Sequence, residues 1–242
     1  MINLLRGRFL GLLVCALLAA GEADAFEECG DLRNAYGPYD FWVDKGKLGI
    51  VESNHFTPEV ENLRSGKSGY IGGDLDYTLR AFPNHPRALM SMMRLGEKER
   101  TERPRGALRS VRCYFERAVS FRPNDPTVRM IYGTFLAKRK KDAEALEQLE
   151  VAKEYAGDNA NVHYNLGLVY LSLGKYDQAL SYAQTAYRLG FPLPGLKDKL
   201  KKAGHWTEPP PIEPAPVEET PTAADVAPPD VANKKEDAPP AR

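Results

Sequence analysis

The stretch HYNLGLVYLSLGKYDQALSYAQTA, residues 163–186, sets small residues at fixed intervals among apolar ones. When residues 126–159 are laid over residues 160–193, an offset of 34 positions, the small residues coincide. Self-similarity at a fixed period of this length is typical of proteins built from stacked helix pairs, because one pair cannot bury its apolar face alone. The coinciding pairs are Gly133 with Gly167, Ala145 with Ala179, and Ala152 with Ala186.

The second of these copies resembles the tetratricopeptide repeat. Members of that family have a Leu-Gly pair, a Tyr three residues later and an Ala further on, and Leu166, Gly167, Tyr170 and Ala179 fill these positions. His163 stands where the family usually has Trp. The resemblance implies an all-α fold, a right-handed α-solenoid of about three helix pairs.

A third, more divergent copy is predicted at residues 86–125, because Ala118 lies 34 residues before Ala152. Its first helix is predicted over residues 86–95. This copy is six residues longer than the other two, which places a charged loop over residues 96–106, between its two helices.

The two ends of the array carry weaker signals. One apolar face within residues 194–203 predicts a capping helix, and Gly204 would end it. Residues 73–84 resemble the second helix of a further repeat, and a short helix is predicted near residues 58–64. The stretch 26–72 matches no family pattern. The predicted organisation is a leader at 1–25, an irregular N-terminal segment with a half repeat at 26–85, a repeat domain at 86–205 and a tail at 206–242.

The first 25 residues have the features of a secretory leader. Two arginines precede an apolar run over residues 9–20, which is shorter than the ~20 residues that a membrane-spanning helix needs. Ala23 and Ala25 supply the small residues of a cleavage site, so the mature chain is predicted to begin at Phe26. The alternative is an uncleaved membrane anchor. Cleavage predicts an exported, periplasmic protein without stable membrane insertion.

Loss of the leader leaves two cysteines, Cys29 and Cys113. In an oxidising compartment a pair of thiols tends to form a disulfide, and we expect a bridge between these two. The alternative is two separate buried thiols that act as small hydrophobic side chains.

Charge is unevenly distributed along a chain whose net charge is zero. Residues 26–85 carry 6 basic and 10 acidic side chains, residues 86–202 carry 22 and 13, and residues 203–242 carry 3 and 8. The basic middle favours a partner with an acidic surface, or an acidic tail that folds back on the basic body. Nucleic acid is a poor candidate for an exported protein. From Pro209 onward the chain is rich in Pro, Ala and acidic residues without apolar periodicity, which predicts disorder.

In the tetratricopeptide family the inner faces of the first helices line a concave surface, and function belongs there. The resemblance places twelve side chains on that surface. Met, Tyr and Leu give adaptable contacts, and Arg, Lys and Asn give directed donors, a combination suited to a protein or peptide segment. In the alternative, these side chains are merely solvated and the array is only a scaffold. The predicted groove residues are Arg87, Met90, Arg94, Thr127, Met130, Thr134, Lys138, Asn161, Tyr164, Asn165, Leu168 and Leu171.

Motifs for catalysis or metal binding are weak. The four histidines are scattered, and none has a Cys or carboxylate at metal-ligand spacing. Gly66-Lys67-Ser68 resembles the end of a phosphate-binding loop, but Glu61 stands at the position of its first glycine, so a turn is predicted. Asp74 and Asp76 are too few for a calcium loop. The sequence therefore predicts a protein that is not an enzyme and has no cofactor or metal.

Two classes of function remain. The first is a non-catalytic scaffold or adaptor in the cell envelope, which holds a partner segment in the groove. The second is a regulatory, non-catalytic subunit of an envelope enzyme. A hydrolase formed by residues 26–72 is a weaker third. The sequence does not separate the first two.

Overall fold

The computed structural model describes residues 29–209, where all regular secondary structure is helical and no strand occurs. The predicted all-α fold is thereby confirmed. The predicted leader and most of the predicted tail lie outside the described residues. The ten helices of the described part are α1 Lys45–His55, α2 Pro58–Glu61, α3 Ile71–Ala81, α4 Pro86–Glu99, α5 Val111–Phe121, α6 Pro126–Lys138, α7 Asp142–Tyr155, α8 Ala160–Ser172, α9 Tyr176–Arg188 and α10 Gly195–Lys202.

These helices stack in two layers. Helix α6 packs closely against α7, and α8 packs closely against α9. The first helices also contact one another in sequence, α4 with α6, α6 with α8, and α8 with α10. Helices α4, α6, α8 and α10 therefore form an inner layer, while α5, α7 and α9 cover it. This is the α-solenoid that the repeats predict.

A repeated turn starts the inner helices in register. The sequence Pro-Asn-x-Pro occurs at residues 83–86 and again at residues 123–126, and each second proline is the first residue of a helix. Proline is favoured there because its missing N–H would have no partner in the first turn. The Asp125 carboxylate caps α6 by accepting the N–H groups of Thr127 and Val128 at 3.0 and 3.1 Å.

The glycines that revealed the repeat lie where helices approach closely. A Cβ atom on Gly133 would lie 2.8 Å from Leu149 Cδ2, and one on Gly167 would lie 2.5 Å from Leu196 Cδ2. Ala145 and Ala179 are fully buried opposite them. The period of 34 residues is therefore a packing requirement.

We expect Gly167→Ala to lower the free energy of unfolding by about 1 kcal/mol, because overpacking outweighs the gain in helix propensity. Gly49→Ala is the matched control, since Gly49 lies in α1 and a Cβ added there would meet no other atom of the described residues within 4 Å. The free energy of unfolding of that variant should rise by up to about 1 kcal/mol, from helix propensity alone. Urea unfolding gives the free energy of unfolding of both variants. A Gly167→Ala protein that is more stable than the parent would contradict the packing account.

The N-terminal segment is more regular than the sequence predicts. Helix α1 packs against α3, and its Leu48 and Val51 are buried with Ala81 and Phe82. Sequence reasoning missed this helix because two glycines lower its propensity and it buries only two apolar side chains. Tertiary contact with α3 stabilises it.

Helix α4 is also longer than predicted and ends at Glu99, so residues 96–99 belong to the helix and not to a loop. Gly96 is buried within this helix, close to the start of α5, and a Cβ there would lie 2.9 Å from Val111 Cγ2. The helix ends instead at Arg100, which adopts a left-handed conformation. At the far end of the array, Gly204 has a φ of +76° just after α10, as the sequence predicts.

Cys29 and Cys113 are joined in a disulfide with an S–S distance of 2.06 Å. Beside it, the buried Arg117 guanidinium donates to the carbonyl oxygens of Cys29 and Gly30, at 3.3 and 2.7 Å. Both links tie the start of the described chain to α5. Among residues 29–209, none of the helices combines the length and the apolar character that crossing a membrane requires.

Candidate functional site

The first site feature is a cavity of about 400 Å³ over the first half of the inner helices α4, α6 and α8. Apolar side chains of these helices and one tryptophan from the N-terminal segment line it, together with polar threonine and asparagine side chains. We call it the first depression. Its lining residues are Trp42, Pro86, Arg87, Met90, Met93, Thr127, Met130, Ile131, Thr134, Asn159, Asn161, Val162 and Asn165.

Two further depressions continue from the first. The second shares Thr134 and Asn165 with it and reaches the end of α6, and the third shares Leu168 and Ser172 with the second and reaches α10. Because neighbouring depressions have lining residues in common, they form one continuous path along α8. We call the three together the groove.

Ten of the twelve side chains predicted for the concave surface line this groove. The first depression collects seven of them, and the second and third add Lys138, Leu168 and Leu171. The two that do not line it are Arg94 and Tyr164. The family's spacing thus carries over to this chain at most positions of the inner helices.

Tyr164 lies in the core and not in the groove. Its ring stacks on Phe191 at 4.0 Å between centroids, and it meets Tyr187 edge to face. Only 9 % of Tyr164 is exposed. The chain from α9 to α10 folds over this ring, a contact that the family's spacing does not encode.

The three cations predicted for the groove are all engaged within this chain. Arg87 Nε donates to Glu61 Oε1 at 2.8 Å, and Arg94 donates to the backbone oxygen of the same Glu61 at 2.8 Å. Hydrogen bonding from Arg87 holds the pKa of the Glu61 carboxyl below its ordinary value. Lys138 Nζ donates to Glu97 Oε1 at 2.9 Å. Arg87 and Lys138 are therefore paired with carboxylates of this chain, whereas Arg94 is held by neutral oxygens and does not line the groove.

Trp42 is a groove residue that sequence reasoning missed. Its side chain is 47 % exposed and lines the first depression, while its Nε1–H donates to Asp125 Oδ2 at 2.7 Å. The buried Asn84 fixes the adjoining backbone by accepting the N–H of Phe41 at 2.9 Å. No local pattern could have revealed this, because the contacts join residues 41–42 to turns 43 and 83 positions further along the chain.

Three lysines at the other end of the groove were also missed. Lys140 lines the second depression, and Lys199 and Lys202 line the third, beside Leu171 and Tyr176. Within the described part of the chain, none of the three is in an ion pair. Lys199 and Lys202 are three positions apart and so share a helix face, which is the signal that could have found them.

Residues 66–68 form a turn around a carboxylate. Asp74 Oδ2 accepts the backbone N–H groups of Lys67 and Ser68 at 2.6 and 3.2 Å, and Asp74 Oδ1 lies 2.9 Å from His55 Nδ1. The N–H groups that a phosphate would need are therefore already occupied. This agrees with the turn that the sequence predicts.

Over residues 29–209, the one group of three His, Cys, Asp or Glu side chains close enough to share a metal ion is Cys29, Cys113 and Glu116. The two cysteine sulfurs are bonded to each other, so neither can bind a metal ion as a thiolate. The group lies at α5, outside the groove.

Comparison with known proteins gives one family match. Residues 160–189 match the family model described as tetratricopeptide repeat, and this range covers α8 and α9. No curated protein matches the chain. The matched repeat contributes Asn161, Asn165 and Leu168 to the groove.

Proposed function

We propose that this chain, in which residues 160–189 match the tetratricopeptide repeat, is a non-catalytic scaffold or adaptor of the cell envelope, which holds a segment of a partner protein in the groove. Such repeats generally mediate protein–protein interaction. The observation that carries the proposal is the continuity of the groove across four inner helices. A path of this kind suits an extended segment better than a small ligand.

The lining chemistry supports a peptide partner. Methionine side chains such as Met90 and Met130 adapt to different apolar groups, and Met90 is 44 % exposed. Asn165 donates from Nδ2 to the backbone oxygen of Asn161 at 2.9 Å, and within residues 29–209 no hydrogen bond to its side-chain oxygen occurs. Apolar surface with amide groups at its edge is the usual composition of a peptide-binding site.

An envelope location is part of the proposal. It is supported by the leader-like first 25 residues and by the pairing of Cys29 with Cys113, since disulfides persist in oxidising compartments. The test is the mass of the exported protein, which should correspond to a chain that begins at Phe26.

Site-specific photo-crosslinking tests the groove. A photoreactive amino acid at Asn165, in the groove, should give a crosslinked partner in cells, whereas the same amino acid at the exposed Glu154 on α7 should not. Thr134→Arg places a long charged side chain where the first and second depressions meet, and it should remove the crosslink without changing the melting temperature by more than a few degrees.

Equal crosslinking from both positions, or a crosslink that survives Thr134→Arg, would place the interface outside the groove. The captured partner also separates the two classes of function. Several structural proteins would agree with an adaptor, and a single enzyme in fixed ratio would instead indicate a regulatory subunit.

A further inference from the structure

The two ends of the groove differ in chemistry. The first depression is bounded by Trp42, Met90, Met93, Met130 and Ile131, and the cation at its rim, Arg87, is paired with Glu61 and lies 3.6 Å from Glu52. A large apolar side chain can be buried there without stranding a charge. An acidic side chain would gain little there, because two carboxylates already neutralise Arg87.

The second and third depressions have the opposite character. Lys140, Lys199 and Lys202 line them, and within residues 29–209 no acidic side chain lines either one. Leu168 and Leu171 provide apolar surface between the lysines. An acidic segment placed here would gain attraction from three cations that, among the described residues, no carboxylate neutralises.

Helix stability gives these lysines a competing role. Lys199 and Lys202 lie in the last turn of α10, where positive charge stabilises the negative end of the helix dipole. Lys201 lies in the same turn, is exposed and lines none of the depressions, so it shares that role but not the groove. Comparing Lys201 with its neighbours therefore separates helix stabilisation from partner binding.

The length of the path sets the spacing of the partner's side chains. The part of α8 from Asn161, in the first depression, to Ser172, in the third, is about 16 Å long at the helical rise. An extended chain covers that length with about five residues, and the full path is longer because the first depression also lies on α4 and α6 and the third on α10. The two features of the partner are therefore at least about five residues apart.

We propose that the partner segment, if it is held in the groove as proposed above, is bipartite. One large apolar side chain fills the first depression against Trp42, and a cluster of acidic side chains at least about five residues away lies against Lys140, Lys199 and Lys202. The occupant is thus an acidic peptide with an apolar anchor. The attraction comes from these lysines and not from the arginines of α4.

Selection from a displayed library of random twelve-residue peptides, with the purified full chain as bait, tests this. Enriched peptides should carry an aromatic or large aliphatic residue and two or more acidic residues, in a constant order and at a constant spacing of about five residues or more. By fluorescence anisotropy, Lys199→Glu with Lys202→Glu should weaken binding by about tenfold at low salt, and the effect should shrink at high salt.

The control replaces Lys201 and Lys47 by Glu, which makes the same change in net charge at two exposed positions outside the groove. Binding should stay within about twofold. Trp42→Ala should weaken binding equally at low and high salt, because it removes apolar contact.

The outcomes distinguish this inference from the proposed function. Selected peptides whose binding is lost with Thr134→Arg can fail the inference in two ways: they carry no acidic cluster, or their binding is unchanged by Lys199→Glu with Lys202→Glu. Either outcome would overturn the bipartite segment and leave the groove as the binding site. Equal weakening by the lysine pair and its control would also overturn it, since only net charge would then matter. Peptides that bind without any sensitivity to Thr134→Arg would overturn both.

Discussion

Replacing Cys29 and Cys113 together by alanine is expected to lower the free energy of unfolding by about 2–5 kcal/mol. The bridge joins residues 84 positions apart, and without it the unfolded chain regains the entropy of a large open loop. Both cysteines are buried, so alanine leaves only a small gap in their place. Chemical denaturation of the variant and of the parent protein measures the difference.

Reduction provides the control for this prediction. The parent protein with a strong reductant should lose a similar amount of stability, and the alanine variant should not respond to reductant. A parent protein whose unfolding midpoint is the same with and without reductant would contradict the predicted contribution. Two labelled thiols per chain in unreduced, denatured protein would show that the bridge does not form in solution.

The disulfide also bears on the groove through the N-terminal segment. Residues 29–42 are held at one end by Cys29 and Arg117, and at the other by the bond from Trp42 to Asp125. Opening the first link leaves the second, because Asn84 and Asp125 lie in the turns that start α4 and α6. We therefore expect reduction to lower stability more than it lowers affinity for a groove peptide.

The repeats could be predicted from the sequence because their constraint is local and periodic. Gly133 and Gly167 must be small for the helices to approach, and the same requirement recurs every 34 residues. Inner-helix positions follow from that register, so most predicted groove residues do line the groove. The fold and the path of the groove are thus encoded in spacing.

What spacing does not encode is how distant parts of the chain meet. Glu61 lies between the two predicted groove arginines only because α2 packs beside α4, and nothing in the repeat pattern indicates that contact. The same holds for Trp42, whose partner Asp125 is 83 residues away. Arg87 and Lys138 line the groove, as the sequence predicts, but the basic character of residues 86–202 does not reveal that both are paired with carboxylates there.

A second large effect is expected from acid. We expect the free energy of unfolding to fall by about 2 kcal/mol between pH 7 and pH 5 because of His85 alone. His85 is buried between the rings of Phe41 and Phe56, and burial, together with the positive charge of Arg87, lowers its pKa from 6.5 to about 3. The ring stays neutral in the fold, where Nδ1 accepts the N–H of Ala88 at the start of α4.

The direction follows from proton uptake in the two states. Below pH 6.5 the unfolded chain protonates this histidine, while the folded chain does not until about pH 3, so stability is complete above 6.5 and declines as the pH falls. The carboxyls of Glu61, Glu144 and Glu150 also have lowered pKa values, but from an ordinary value of 4.5. Their loss therefore begins below the window from pH 7 to pH 5.

His85→Asn isolates this contribution, because asparagine can cap α4 through its side-chain oxygen and does not titrate. The variant should be less stable at pH 7, since it loses contact with both phenylalanine rings, but its stability should hardly change between pH 7 and pH 5. Urea unfolding midpoints of the parent and of the variant, measured at half-unit pH steps, give the slope of stability against pH for each protein. An unchanged slope in the variant would mean that another group binds the protons. His85 caps the helix that carries the groove residues Arg87 and Met90. Between pH 7 and pH 5, we therefore expect the parent protein to lose affinity for a groove peptide only at those pH values where it also unfolds.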